Sequence, residues 1–200
     1  MVEGKRIDSF RRKRSVPNPA DDIQKLNERL LLIASDQTSG ASVLRTLGAG
    51  AQVIRRIRTA NAQAVATAIR CSVPLIVFTE TVEELASTDP RQWRWSSTHE
   101  IPAELRDLAL FALNFAHDLA LRNITMAKGY FGISRLTAER LGELAVAHLE
   151  TLSRTPGPLL RLRSSDDLNW WHRLLIGDRC VGPRAPRIAH TAAQQTLRNK

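Results

Sequence analysis

The chain alternates between helical and extended patterning in a fixed order. In DDIQKLNERLLLIAS, apolar Ile23, Leu26, Leu30 and Ile33 recur every three to four residues behind the acidic pair Asp21 and Asp22. That spacing predicts an amphipathic helix over about 21–35. QTSG breaks it, with Gly40 as punctuation, and a second helix is expected over about 41–47. A third is expected over about 52–70, with Val53, Ile57, Ala60, Ala64, Ala68 and Ile69 turned inward. VPLIVF (73–78) is short, β-branched and opens beside a proline, which predicts an extended segment. Thr81 and Glu84 spell a capping box, so a short helix should open at Thr81. After the loop DPRQWRWSST, Pro102 suits the first turn of a long helix over about 102–127. The order then recurs: helices over about 134–153 behind Gly132, an extended PLLRLR (158–163), and a last helix to about 175. Ser164, Ser165, Asp166 and Asp167 are good starters for that helix.

Sliding the chain along itself until Gly48 falls on Gly132 also places Arg56 on Arg140, Thr67 on Thr151, Arg70 on Arg154, Pro74 on Pro158 and Leu75 on Leu159. Apolar positions coincide as well, among them Leu47 with Phe131, Ile57 with Leu141 and Phe78 with Leu162. Few identities carry the match by themselves. Together with the shared order of elements they point to a tandem duplication, in which the long helix 102–127 answers to the first helix with a few residues of slippage.

Composition refines this picture. With 43% apolar residues in 200, the chain can bury a real core. The first twenty residues are polar and basic and lack the apolar stretch of a signal peptide. The longest apolar run, LALFALNFAHDLAL, is interrupted by Asn114, His117 and Asp118 and is too short to span a bilayer. A cytoplasmic protein without a membrane partner is the expectation. Cys71 and Cys180 fit no metal spacing and read as two thiols in a reducing compartment, with an intersubunit disulfide as the other reading.

The charge is distributed unevenly. Of the net +9, residues 1–20 hold +4 and residues 178–200 hold +4, leaving +1 for everything between. Basic arms attract phosphate backbones through counterion release, while a solvated tail is the plainer reading. Only five of the 29 basic residues are Lys, and Arg suits bidentate phosphate contact.

No nucleophile elbow, P-loop, dinucleotide fingerprint or zinc-protease motif occurs, and the five His residues are isolated. The expectation is a non-enzyme without cofactor or metal. Trp93 and Trp95 in RQWRW, and Trp170 and Trp171 in NWWHR, mix aromatics with Arg. Such clusters either grip a partner or pack each repeat's last helix onto its core; packing suits Trp171 better. The segment YFGISRLTAERLGEL (130–144) could open a helix-turn-helix. Its apolar stripe, Ile133, Leu136, Leu141 and Leu144, is wide, however, and the charges of Arg135, Glu139, Arg140 and Glu143 cancel. Core is the stronger reading of this stretch.

The run MAKGYFGISRLTAERLGELAVAHLETLSRTPGPLLRLRSSDDL (126–168) resembles the core of FlhD, the helical subunit of the bacterial flagellar master regulator. The segment that opens LNERLLLIASDQTSGASVLRTLG and extends to residue 78 looks like a more diverged copy. The resemblance implies an all-α, intertwined dimeric core that binds DNA and activates transcription together with a second, zinc-containing subunit, FlhC. Relatives control flagellar genes and transfer genes of mobile elements. Here two copies would share one chain and form an internal pseudo-dimer, and the cysteine common in the family's apolar strand is replaced at Ile76 and Leu160.

These observations define an expected layout: a basic arm (1–20), a first FlhD-like repeat (21–98), a second (99–177) and a basic tail (178–200). The expected function is that of an activator-complex subunit at promoters, with an FlhC-like or other regulatory partner and possible homo-oligomers. The alternative is an adaptor or anti-activator that never touches DNA. Expected DNA contacts are Arg11, Arg12, Lys13, Arg14, Arg55, Arg56, Arg58, Arg184 and Arg187, and the expected partner interface is Trp93, Trp95, Trp170 and Trp171.

Overall fold

The computed structural model describes residues 18–93, 101–155 and 158–177. Among them are ten helices and two short strands. Helix α1 (Pro19–Ser35) is capped by the Asn18 side chain, and its buried face is Ile23, Leu26, Asn27, Leu30, Leu31 and Ala34. α2 (Gly40–Thr46) and α3 (Ala51–Arg58) follow, then α4 (Ala62–Ile69), strand β1 (Ile76–Phe78) and α5 (Glu80–Ala86). A 3₁₀ turn at Pro90–Gln92 leads out of this half. The second half runs α6 (Ala103–Arg122), α7 (Ile124–Phe131), α8 (Arg135–Glu143), α9 (Val146–Ser153), β2 (Leu160–Leu162) and α10 (Leu168–Ile176).

Helices α6, α7, α8 and α9 and strand β2 begin at one common offset from α1, α2, α3, α4 and β1, the offset that carries Gly48 onto Gly132. Those two glycines both take positive φ, 79° and 71°. Each ends a short helix in the left-handed conformation that glycine adopts without a Cβ penalty. A Cβ on Gly132 would meet only ordinary contacts with Val77, so the cost of substitution there is conformational. Gly132→Ala is expected to lower stability by roughly 1 kcal/mol in urea titration.

The buried faces of the long helices keep a slightly shorter spacing. Ile23, Leu26, Leu30 and Ala34 answer to Leu105, Leu108, Ala112 and Ala116, two positions short of the common offset. The difference is made up at the helix ends: α1 stops one residue past Ala34 and residues 36–39 lead into α2, whereas α6 runs on from Ala116 to Arg122 and Asn123 alone separates it from α7, which it caps.

The two strands pair antiparallel with Val77 opposite Arg161 and Ile76 opposite Leu162. Outside the ladder, the Thr79 amide donates to the Leu159 carbonyl at 2.9 Å and the Arg163 amide to the Leu75 carbonyl at 2.8 Å. A two-stranded ribbon this short needs support from a core, and it has one. Phe78 stacks on Phe131 of α7 at 4.8 Å, and Phe115 meets the same ring in a T-shaped contact at 5.5 Å. The last helices cross over: α5 packs on α8, and α10 packs on α3 and α4. α1 and α6 pack against each other, which draws both halves into one hydrophobic core.

Several boundaries differ from the sequence expectation. The helix expected over 52–70 is two, because Asn61 turns out of the helix and caps α4 by accepting from the Ala64 amide. The long helix ends at Arg122 for the same reason, at Asn123. α5 opens at Glu80 behind Thr79, whose hydroxyl donates to the Pro158 carbonyl. Only Asp167 of the four expected starters caps α10. Leu136, expected inside the apolar stripe, is 55% exposed.

Candidate nucleic-acid interface

Helix α3 buries Val53, Ile54 and Ile57 and leaves Gln52, Arg55, Arg58 and Thr59 on the solvent side. The three- and four-residue steps put these four on one stripe. Arg56 is half-buried beside it, and its Nε is enclosed without a hydrogen-bond partner. Arg58 reaches back to the α1–α2 turn and donates from Nη2 to the Gln37 carbonyl at 3.2 Å. Asp36 sits in that turn and accepts from the Thr38 amide and from the Ser39 amide and hydroxyl. The Ser39 amide first, then its hydroxyl, holds the Asp36 carboxyl below its usual range, with the Arg58 charge as a smaller contribution. Arg45, at the end of α2, is exposed, and among the described residues neither Arg45 nor Arg55 pairs with a carboxylate.

Of the expected DNA contacts, Arg55, Arg56 and Arg58 thus share one helix, but only Arg55 projects unengaged. Arg11, Arg12, Lys13, Arg14, Arg184 and Arg187 lie outside the described residues, as does Trp95. The expected aromatic interface is corrected at two positions. Trp171 is fully buried and Trp170 is 7% exposed, so α10 turns both toward the chain's own core and leaves neither as a surface anchor. Trp93 is half-buried: its Nε1 donates to the Leu85 carbonyl at 3.2 Å and its ring meets that of His148 in a T-shaped contact.

Two polar residues that sequence patterning does not single out fix the strand segments: Asn27 acts within the first half, and Arg163 reaches from the second half to the first. Asn27 is buried inside α1's apolar face and bonds to the segment between α4 and β1. Arg163 donates from Nε to the Pro74 carbonyl at 2.7 Å and from Nη2 to the Tyr130 carbonyl. Burial lowers the Arg163 pKa, yet a guanidinium remains charged in proteins. Arg163→Ala is expected to cost about 2 kcal/mol, because two carbonyls lose a charged donor. Chemical denaturation of the variant measures it, and a loss indistinguishable from zero would refute the role.

Between α1 and α6 lies a groove of about 240 Å³ lined by Arg29, Leu32, Ile33, Glu104, Asp107 and Leu108. The Arg29 guanidinium stands 4.4 Å over the Phe111 ring. No group of three or more His, Cys, Asp or Glu among the described residues could hold a metal ion. No described helix is long and apolar enough to cross a membrane. No family model, curated protein or solved structure matches the chain.

Proposed function

We propose that the chain is a tandem FlhD-like subunit that folds as an internal pseudo-dimer and acts in a DNA-bound transcription activator complex. The observation that carries this reading is the strand register. Val77 and Arg161 are related by the same offset as Gly48 and Gly132, and they face each other, as the two copies of one residue do across the axis of an isologous dimer. The paired amide bonds of Thr79 and Arg163, the crossing of α5 and α10, and the equal spacing of helix starts support it further.

The DNA side rests on charge. The residues between the arms are nearly neutral, while each arm holds +4. Arms of this kind supply sequence-independent affinity, and a partner such as an FlhC-like subunit supplies further readout. The test is binding of the full chain to a mixed-sequence duplex over a salt series, alone and with candidate partners. The expected result is salt-dependent binding that falls sharply when residues 1–20 and 178–200 are deleted. Absence of salt-dependent binding in every case would overturn the reading.

One observation favours the adaptor alternative. Leu136 and Val146 of the second half are large, apolar and more than half exposed, as a protein-docking face is. An adaptor would keep its protein partner when both arms are removed.

A further inference from the structure

We propose that the chain meets duplex DNA on one side only, through the exposed stripe of α3 and the end of α2, and that the equivalent stripe of α8 takes no part. The proposal rests on the DNA-binding reading above and assigns its helical contact.

α2 and α3 are joined by the turn 47–50, with Gly48 in the left-handed conformation. Two short helices joined in this way can present the second one to a DNA groove. Gln52 and Arg55 lie at the start and middle of α3, one turn apart and both exposed. These side-chain types form paired hydrogen bonds with adenine and guanine edges respectively. Arg45 and Arg58 flank them with positive charge. From Gly40 to Arg58 there are four arginines and no carboxylate. Two carboxylates lie beside this stripe: Asp36, held by the Thr38 and Ser39 amides, and Asp166, which stands next to Gly50 at the head of α3.

The matching stripe of the second half has different chemistry. Leu136 stands where the first half has Gln52, Glu139 where it has Arg55, Gly142 where it has Arg58, Glu143 where it has Thr59, and Gly129 where it has Arg45. Arg135 at the head of α8 is tied to Glu139 by an ion pair at 2.8 Å. A stripe whose carboxylates cancel its arginines, with an exposed leucine in place of a hydrogen-bonding side chain, offers a phosphate backbone no net attraction. Equivalent backbone positions therefore present one cationic, hydrogen-bonding stripe and one that is apolar and charge-balanced. A single chain so built binds one half-site, and a symmetric operator would not be required.

The experiment is fluorescence anisotropy of the full chain on a mixed-sequence duplex across a salt series. Arg45→Ser/Arg55→Ser is compared with Lys128→Ser/Arg135→Ser on the other half. Arg45 and Arg55 are exposed and pair with no described carboxylate, so thermal unfolding should not move; Arg55→Glu, which installs the α8 residue type, is the second variant. The first pair is expected to reduce the log–log salt slope by about 2 and to shrink the affinity lost between about 50 and about 200 mM salt roughly ten-fold. Arg55→Glu changes the charge of the stripe by the same amount as the first pair and should weaken binding comparably, and the second-half pair should leave the slope unchanged. Wild-type slopes for both first-half variants, or equal losses from the two pairs, would overturn one-sided contact while leaving DNA binding to the arms. A wild-type chain with no salt dependence would overturn the DNA reading itself and this inference with it.

Discussion

Asn27→Leu is expected to destabilise the protein by about 3 kcal/mol, although leucine suits the apolar face of α1 better by every measure of hydropathy. Asn27 is fully buried. Its Oδ1 accepts from the Leu75 amide at 2.8 Å, and its Nδ2 donates toward the carbonyls of Val73, Cys71 and Ile69 at 3.2, 3.4 and 3.5 Å. An amide has two N–H bonds, so the three longer contacts share them. Leucine removes all of this and leaves the Leu75 N–H without its partner in an apolar surround. That one group accounts for much of the loss, because an unmade buried hydrogen bond costs more than a made one contributes. The carbonyls add less, since their bonds are long. Asn61→Ala is the comparison: Asn61 only caps α4, and its loss should cost about 1 kcal/mol. Equilibrium urea unfolding measures both. If Asn27→Leu costs no more than Asn61→Ala, the segment 69–75 is not held by this side chain.

Periodicity locates most of the helices because the fold is dominated by amphipathic segments that bury one face each. Ile23, Leu26 and Leu30 are buried as their spacing predicts. What periodicity does not locate are ends set by a single polar side chain. Asn61 and Asn123 each divide what reads as one continuous helix, since the apolar stripe runs on past them while the backbone turns. The strand pairing is invisible for a different reason. Val77 and Arg161 meet through contacts made across both halves, and nothing local in IVF or LRL encodes the partner. The common offset between the halves is legible in the sequence, and it extends to helix starts and to the two left-handed glycines.

The candidate interface is legible in its charges and poorly legible in its geometry. The RRIR run marks α3, but sequence does not say that Arg58 is drawn toward the Gln37 carbonyl or that Arg56 lies half inside. Gln52, which shares Arg55's stripe, carries no charge and does not stand out. Asn27 and Arg163 escape sequence reasoning because a single polar residue in an apolar stripe, or at the end of a strand, reads as tolerated noise. Asn27 does leave one signal: it is the only polar position on the buried face of α1.

Trp171→Ala is expected to cost about 4 kcal/mol, a larger loss than either asparagine substitution. The ring is fully buried, its Nε1 donates to the Ser164 carbonyl at 3.1 Å, and it meets the Trp170 ring in a T-shaped contact at 5.0 Å. α10 lies against α3 and α4, so the cavity left by the indole would open at the seam where the second half's last helix crosses onto the first half. Alanine would remove the apolar area, the hydrogen bond and the brace that fixes α10 together. Trp171→Phe keeps most of the area and should cost clearly less. Trp93→Ala should also cost less, since that ring is half exposed. The order of the three losses separates two roles for tryptophan in this chain. A docking anchor contributes to binding and little to the stability of the isolated chain, whereas a core side chain does the reverse. Unfolding midpoints for Trp171→Ala close to wild type would return Trp171 to the interface and would mean that α10 does not pack on α3 and α4.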